Sequence, residues 1–177
     1  MVIKKLKVPT LESERLILRK FVNKDIQDLI KIEKVDRKIG KINSVEKAKI
    51  WIKKSISKDG FYFGILLKRE NKIIGYVELD HLDYFGPKTG EIGYHINKKY
   101  FNKGYATEAS KIVINYCFKK LKFHKVYADT SPKNLASQKV LKKLSFKFEG
   151  RIRERHFSKR KWVDEMSYGL LKRDLRL

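Results

Sequence analysis

Residues 94–121 constrain the fold more than any other stretch, because they predict a strand, a turn and a long helix in direct succession. The strand ends near Ile96, and a basic turn leads to Gly104, where the helix begins. Small and apolar side chains then recur at helical spacing, at Ala106, Ala109, Val113, Tyr116, Cys117 and Leu121. The first amides of a helix have no partner within it, so a glycine turn there lets an anion approach them. The stretch is therefore either a phosphate site or an ordinary strand-turn-helix joint.

The remaining segments predict a mixed sheet with helices packed on it. Strands are predicted at residues 15–21, 61–68, 73–80, 90–96, 125–130, 146–153 and 162–171. Helices are predicted from Asn23 to about 33, from Ser44 to about 56, at 104–121 and at 134–144, with both polar residues as N-caps. Residues 35–43 read as a loop. No repeat or linker divides the chain, so we expect a single domain over residues 1–177.

Composition limits the setting and the partners. Forty-three Lys and Arg against 20 Asp and Glu give a net charge of +23. This favours polyanionic partners, meaning nucleic acid, a ribosomal surface or a multiply phosphorylated cofactor, although a lysine-rich proteome would give the same charge. With Cys117 as the single cysteine, no internal disulfide can form. We expect a cytoplasmic protein without signal peptide or membrane span.

A second motif lies at residues 131–146, where a predicted strand gives way to a helix. Asn134 is placed to cap that helix. Ser137, one turn further on, can either bond the backbone or face the space between the two strands of residues 90–96 and 125–130. The nucleotide-binding Gly-x-Gly-x-x-Gly and Walker motifs are absent from the sequence, as are paired cysteines and His-x3-His. We therefore expect no metal site.

Together these motifs resemble the Gcn5-related N-acetyltransferases (GNAT). The resemblance rests on residues 100–109 (YFNKGYATEA), on Asn134-x-x-Ser137 and on the closing residues 144–146. It is closer to the RimJ/RimL-like branch of ribosomal-protein N-terminal acetyltransferases, which the opening residues 10–19 (TLESERLILR) also fit. The similarity covers nearly the whole chain, from about residue 10 to 173.

The resemblance implies an α+β fold with one mixed, mostly antiparallel sheet of about seven strands and about four helices. The fourth and fifth strands would splay apart, and acetyl-CoA would lie between them as cosubstrate. It implies main-chain contacts to the pantetheine arm from Tyr94, His95 and Ile96, with the Ile96 amide facing the thioester oxygen. The main-chain amides of Asn102, Lys103, Gly104, Tyr105, Ala106 and Thr107 would bind the pyrophosphate. The side chains of Lys103 and Lys139 would screen the phosphate charge, and Asn134 and Ser137 would complete the cofactor site.

Three positions depart from the family pattern. Phe101 stands where Gln or Arg is usual, although an aromatic residue is frequent in this branch. Asn102 stands where Gly is common, and Asn tolerates the unusual backbone angles of such a turn. Leu141 occupies the position of the tyrosine that serves many members as the acid. The proton donor to the departing thiolate is therefore expected to be Ser137 or a water molecule.

The general base stays open among three residues. Glu91, Asp129 and His156 are candidates, and each could equally be an ordinary surface or paired residue. An α-amine titrates at about 7.7 to 8.0, against about 10.4 for a lysine side chain, so an α-amine needs little help to lose its proton. The catalytic candidates carried forward are Ser137, Glu91 and His156.

Three functions fit the sequence. The first is acetyl transfer from acetyl-CoA to a primary amine. The acceptor would be the N-terminal amine of a protein, which in the branch it resembles is a ribosomal protein. The second is acetylation of a small amine such as a polyamine, an amino acid or an antibiotic, although the positive charge opposes a polyamine unless acidic residues line the pocket. The third is a non-catalytic RNA- or ribosome-binding protein using the basic, aromatic hairpin of residues 151–161. Both a monomer and a homodimer are compatible with the sequence.

Overall fold

The computed structural model describes residues 8–32, 35–36, 40–55, 60–80, 88–158 and 160–175. The strands are β1 Leu11–Glu12, β2 Leu16–Arg19, β3 Val35–Asp36, β4 Gly40–Lys41, β5 Phe61–Leu67, β6 Lys72–Asp80, β7 Thr89–Ile96, β8 Lys125–Thr130, β9 Lys147–Ser158 and β10 Lys161–Leu171. The α-helices are α1 Ile26–Lys31, α2 Val45–Lys54, α3 Tyr105–Lys119 and α4 Leu135–Lys143. Short 3-10 turns precede α1 and α3 and follow β10.

The main sheet has eight strands in the order β1-β2-β5-β6-β7-β8-β10-β9. Every neighbouring pair is antiparallel except β7 and β8, which are parallel. The predicted mixed, mostly antiparallel sheet with four helices is therefore confirmed. The eighth strand is β1, which has two residues and is too short to show an alternating pattern. The predicted loop at residues 35–43 is wrong in part, because β3 and β4 pair there as a separate two-stranded sheet.

β7 and β8 separate after three residue pairs, which confirms the predicted splay. Thr89 to Glu91 pair with Lys125 to Tyr127, and the pairing stops there. β7 nevertheless stays bonded to β6 through Ile96, and β8 stays bonded to β10 through Thr130. The two strands are parallel, so both carboxyl ends lie at one edge of the gap. α3 follows β7 and α4 follows β8, so both helices begin at the gap.

The helices cover both faces of the sheet and place a core on each. On one face α3 and α4 pack on the sheet, and Ala109, Val113 and Cys117 are fully buried there. On the other face α1 and α2 pack around a second core that includes Trp51 of α2, whose ring centroid lies 5.1 Å from that of Phe21. Among the described residues, every helix is too short or too polar to cross a lipid bilayer.

The two predicted caps near the amino terminus have different outcomes. Ser44 caps α2 as predicted, since its Oγ accepts from the Lys47 amide at 3.3 Å. The Asn23 cap is wrong, because Asn23 lies within the 3-10 turn that leads into α1. Asp25 occupies the N-cap position of α1 without a side-chain capping bond to that helix. Its Oδ2 accepts instead from the Val22 amide at 2.9 Å and from Arg19 Nη1 at 2.7 Å.

The β9–β10 hairpin is longer than predicted and projects beyond the sheet. β8 ends at Thr130, opposite Met166, whereas the hairpin continues to Ser158 and Lys161. A bulge interrupts the pairing on this arm, where Asp164 accepts from the Glu154 amide at 2.8 Å. The repeated charges of residues 151–161 gave no alternating apolar signal, so the sequence placed the strand boundary several residues too early.

Candidate functional site

The gap between β7 and β8 opens into a cleft of about 480 Å³. Its walls come from the end of β7, from the turn before α3 and from the first turns of α4. The lining residues are Tyr94, His95, Ile96, Tyr100, Phe101, Asn102, Gly104, Tyr105, Ala106, Thr107, Asn134, Ala136, Ser137, Lys139, Val140 and Lys143. The two motifs that lie about 30 residues apart in sequence thus form one site.

Most of the predicted cofactor residues line this cleft, and Lys103 is the exception. The Lys103 Nζ lies 5.7 Å from the centroid of the Tyr100 ring, beside the turn. Of the predicted catalytic residues, Ser137 lines the cleft, whereas Glu91 and His156 do not. Tyr100, Phe101, Ala136, Val140 and Lys143 also line it without having been predicted as cofactor contacts. For the three α4 residues among them, helical spacing alone does not show which face of α4 meets β7.

The main chain of β7 presents to the cleft amides that have no hydrogen-bond partner among the described residues. The Asn97 amide donates to the Ile74 carbonyl of β6 at 2.8 Å. Successive amides along a strand point to opposite edges, so the Tyr94 and Ile96 amides face away from β6 and into the gap. By the same alternation the His95 amide faces β6, and the His95 Nε2 lies 3.1 Å from the Ile32 carbonyl oxygen.

The turn before α3 has the backbone geometry of an anion site. Asn102 has φ of 59° and Gly104 has φ of 81°, both in the left-handed region. Alternation of left- and right-handed residues turns successive N–H groups toward one side, where they can hold a phosphate. The prediction that Asn102 tolerates such angles is confirmed. The Tyr105 side chain is buried in the core, so this residue offers its main chain to the cleft.

A brace that the sequence did not reveal holds this turn from outside. The Arg15 guanidinium donates from Nη1 to the Lys103 carbonyl oxygen at 3.2 Å and from Nε to Glu108 Oε2 at 2.7 Å. Ser13 Oγ donates to Glu108 Oε1 at 2.7 Å, and the Arg15 Cζ lies 4.6 Å from the centroid of the Tyr105 ring. The brace thus ties the start of β2 to the first turn of α3, across 93 residues of chain.

Removing the Glu108 charge is expected to destabilise the fold in a pH-dependent way. Burial raises the pKa of Glu108, but the hydrogen bonds from Ser13 and Arg15 outweigh it, so that pKa lies below its usual value. The stabilisation is therefore complete above about pH 4.3 and is lost as pH falls through the lowered pKa. Urea unfolding should show Glu108→Gln about 1.5 kcal/mol less stable than wild type at pH 7, and the difference should shrink at pH 3.

Glu12→Gln is the matched control for this measurement. Glu12 also pairs with a cation, Lys68, at 3.2 Å, but its side chain is 58% exposed. An exposed pair of this kind contributes at most about 1 kcal/mol and commonly nothing measurable. A Glu108→Gln variant with the same pH profile as wild type would show that the brace carries no stability.

The start of α4 holds Ser137 on two sides. Asn134 Oδ1 accepts from the Ser137 amide at 3.1 Å, which confirms the predicted N-cap. The Tyr94 Oη lies 2.9 Å from Ser137 Oγ and reaches across from β7. Burial raises the pKa of Tyr94 to about 12, against the opposing effect of the Ser137 hydrogen bond. Lys139 and Lys143 add positive charge along the same wall of the cleft.

The opposite face of the sheet is acidic beside the gap. Side chains alternate along β7, so Glu91 lies on the α1 and α2 face, away from Tyr94. Burial and the charges of Glu91, Asp129 and Asp80 raise the pKa of Tyr127, which indicates that these carboxylates surround it. The Asp129 Oδ1 is buried and has no hydrogen-bond partner among the described residues.

His156 lies on the projecting hairpin arm, apart from the cleft. Its Nδ1 is 3.4 Å from Glu165 Oε1, and its side chain is 40% exposed. The hairpin also carries two exposed aromatic residues, Phe157 and Trp162, whose ring centroids are 5.5 Å apart. Within the described part of the chain, no group of three His, Cys, Asp or Glu side chains could hold a metal ion.

Comparison with known proteins identifies the family. Residues 15–147 match the acetyltransferase (GNAT) domain model. The chain is 31% identical over 167 residues to the uncharacterised N-acetyltransferase YnaD of Bacillus subtilis (strain 168), covering 92% of this chain and 96% of that one. It is 28% identical over 106 residues to the ribosomal protein uS5 alanine N-acetyltransferase of Escherichia coli (strain K12), covering 60% of this chain and 55% of that one.

Two solved structures extend the similarity. A GNAT-family acetyltransferase from Bacillus anthracis superposes with a TM-score of 0.81 at 31% identity, over 93% of this chain and 99% of that one. Mycobacterium smegmatis RimJ in complex with CoA-disulfide superposes with a TM-score of 0.83 at 18% identity, over 98% of this chain and 91% of that one. The family model covers most of the chain and the cleft lies where its two motifs meet, so the chain belongs to the GNAT acetyltransferases.

Proposed function

We propose that the protein transfers the acetyl group of acetyl-CoA to the N-terminal α-amine of a protein by direct attack. The observation that carries the proposal is the cleft itself. The amides of Tyr94 and Ile96, which face away from β6, line one wall, the left-handed turn at Asn102 and Gly104 lies at its end, and Ser137 lies opposite. An extended arm with a phosphorylated end fits this arrangement better than a compact ligand.

The chain's main-chain groups hold most of the donor in this proposal. The amides of residues 102–107 bind the pyrophosphate, because they are free at the start of α3. The Tyr94 and Ile96 amides pair with the pantetheine arm as a neighbouring strand would. Lys139 screens phosphate charge from the α4 side. Mycobacterium smegmatis RimJ, which has the same fold, is in complex with CoA-disulfide, and this supports a ligand of the CoA type in the proposal.

The chemistry is divided between the two faces of the sheet. The Ile96 amide stabilises charge that grows on the thioester oxygen during attack. Ser137, on the α4 side, donates to the departing sulfur. Glu91 or Asp129, on the other face, takes a proton from the ammonium, with His156 as the third candidate. A profile of kcat/KM against pH for Glu91→Gln that matches the wild type would remove Glu91 from this role.

The acceptor is proposed from charge and from the relatives. A relative that acetylates ribosomal protein uS5 at alanine supports a protein N-terminus as acceptor. The net charge of +23 repels a polycation from a distance, while the local carboxylates at Asp80, Glu91 and Asp129 can still accept one ammonium group. A small-molecule amine is the alternative, favoured by the same acidic face.

Parallel acetylation assays decide between these acceptors. Labelled acetyl-CoA is incubated with peptides bearing free N-termini, the same peptides with blocked N-termini and internal lysines, and spermidine, free amino acids and an aminoglycoside. We expect label on free N-termini at the highest kcat/KM. Label on a small amine alone would overturn the protein acceptor and leave the acetyltransferase assignment intact. RNA binding with a steep salt dependence, without acetyl-CoA binding, would favour the non-catalytic alternative.

A further inference from the structure

The Tyr94 side chain crosses the cleft and contacts Ser137 twice. Its Oη lies 2.9 Å from Ser137 Oγ, where either oxygen can donate, and it can also donate to the Ser137 carbonyl oxygen at 3.2 Å. The Ser137 amide is fixed from its other side by Asn134 Oδ1. The hydroxyl oxygen and the carbonyl oxygen of Ser137 therefore both contact Tyr94, a β7 residue 43 positions away in sequence.

The phenol has one proton, so two hydrogen-bond arrangements exist. In the first, Tyr94 donates to the Ser137 carbonyl oxygen, and the Ser137 hydroxyl donates to Tyr94. In the second, Tyr94 donates to Ser137 Oγ, and the Ser137 proton is free to point into the cleft. The second arrangement uses the shorter contact and gives up only the longer one.

In the proposed reaction, negative charge on the leaving sulfur favours the second arrangement. As the C–N bond forms and the C–S bond breaks, the electron pair stays on sulfur, which is then protonated from solvent through the Ser137 hydroxyl. A hydroxyl that accepts one hydrogen bond becomes a better donor for the next. A tyrosine phenol has an ordinary pKa of about 10, and burial raises the pKa of Tyr94 further, so the phenol is protonated and can serve as that first donor across the neutral range.

We propose that Tyr94 is a positioning residue that turns the Ser137 hydroxyl toward the sulfur of the thioester. This inference rests on the proposed function, because Ser137 must first be the donor to sulfur. It goes further by assigning a catalytic consequence to the Tyr94 side chain, in addition to the Tyr94 main-chain contact with the pantetheine arm.

The kinetics of Tyr94→Phe test the inference. Removal of one hydrogen bond should lower kcat about threefold to tenfold, with the KM for acetyl-CoA unchanged because the main-chain contacts stay. In a Ser137→Ala background the same substitution should cause no further loss, since Tyr94 acts only through Ser137. Tyr116→Phe is the control, because that half-buried tyrosine lies on α3 outside the cleft lining and should behave as wild type.

The outcomes separate this inference from the proposed function. Equal losses from Tyr94→Phe in the wild-type and Ser137→Ala backgrounds would overturn it, because they would show an independent structural role. A normal kcat for Tyr94→Phe beside a slow Ser137→Ala would also overturn it, while leaving Ser137 as donor. Wild-type turnover in Ser137→Ala would remove both roles. Absence of acetyl-CoA binding by the wild-type protein would instead defeat the proposed function.

Discussion

Replacing Ser137 by alanine is expected to lower kcat by about 100-fold, the lower range for loss of a positioned acid. The affinity for acetyl-CoA should change little, because Asn134 Oδ1 accepts from the main-chain amide of Ser137, and alanine keeps that donor. Steady-state rates at saturating acetyl-CoA and acceptor measure the first effect. Calorimetric titration of the variant with acetyl-CoA measures the second.

Ser131→Ala is the control for loss of a hydroxyl near α4. Ser131 Oγ accepts from the Lys133 amide at 3.3 Å, in the loop before the helix, and it does not line the cleft. We expect its turnover to equal that of wild type. Unchanged turnover in Ser137→Ala would assign protonation of the sulfur to water.

Replacing Gly104 by valine is expected to weaken acetyl-CoA binding at least about tenfold. Gly104 has φ of 81°, and an L-residue pays about 1–2 kcal/mol in that region, more when it is β-branched. Space is not the cause, since a Cβ there would meet nothing nearer than Arg15 Nη2 at 3.6 Å. The turn would relax in the free protein, and binding would have to restore it.

Gly104→Asn separates backbone angle from side-chain size. Asparagine visits the left-handed region readily, as Asn102 already does at φ of 59°. The dissociation constant of this variant for acetyl-CoA should therefore lie between those of wild type and Gly104→Val. Equal weakening by asparagine and valine would mean that the added side chain, and not the backbone angle, disturbs the site.

The parts of the fold that sequence predicted well are those with local signals. α3, α4 and β8 follow from periodicity and caps over consecutive residues, and Gly104 and Asn134 lie where the turn and cap require them. The two motifs are separated by about 30 residues, and only the resemblance to a family joined them. Periodicity and capping signals predict each of the two motifs, but they do not show that the motifs lie side by side in the fold.

The contacts that sequence did not predict are long-range and polar. Arg15 and Glu108 meet across 93 residues, and Tyr94 meets Ser137 across 43. Such pairs depend on strand order and on the direction of a single side chain, which periodicity does not encode. For the same reason Glu91 and His156 could be named as candidate bases from residue type, but their positions could not be predicted. Glu91 lies on the face of β7 away from Tyr94, and His156 lies on the part of the β9–β10 hairpin that projects beyond the sheet.

Titration of the wild-type protein with acetyl-CoA tests the central claim, that the cleft between β7 and α4 is a cosubstrate site, most directly. We predict saturable binding of one acetyl-CoA per chain, weakened in Gly104→Val and retained in Ser137→Ala. Absence of binding by the wild-type protein at millimolar acetyl-CoA, or equal binding by Gly104→Val and wild type, would contradict it.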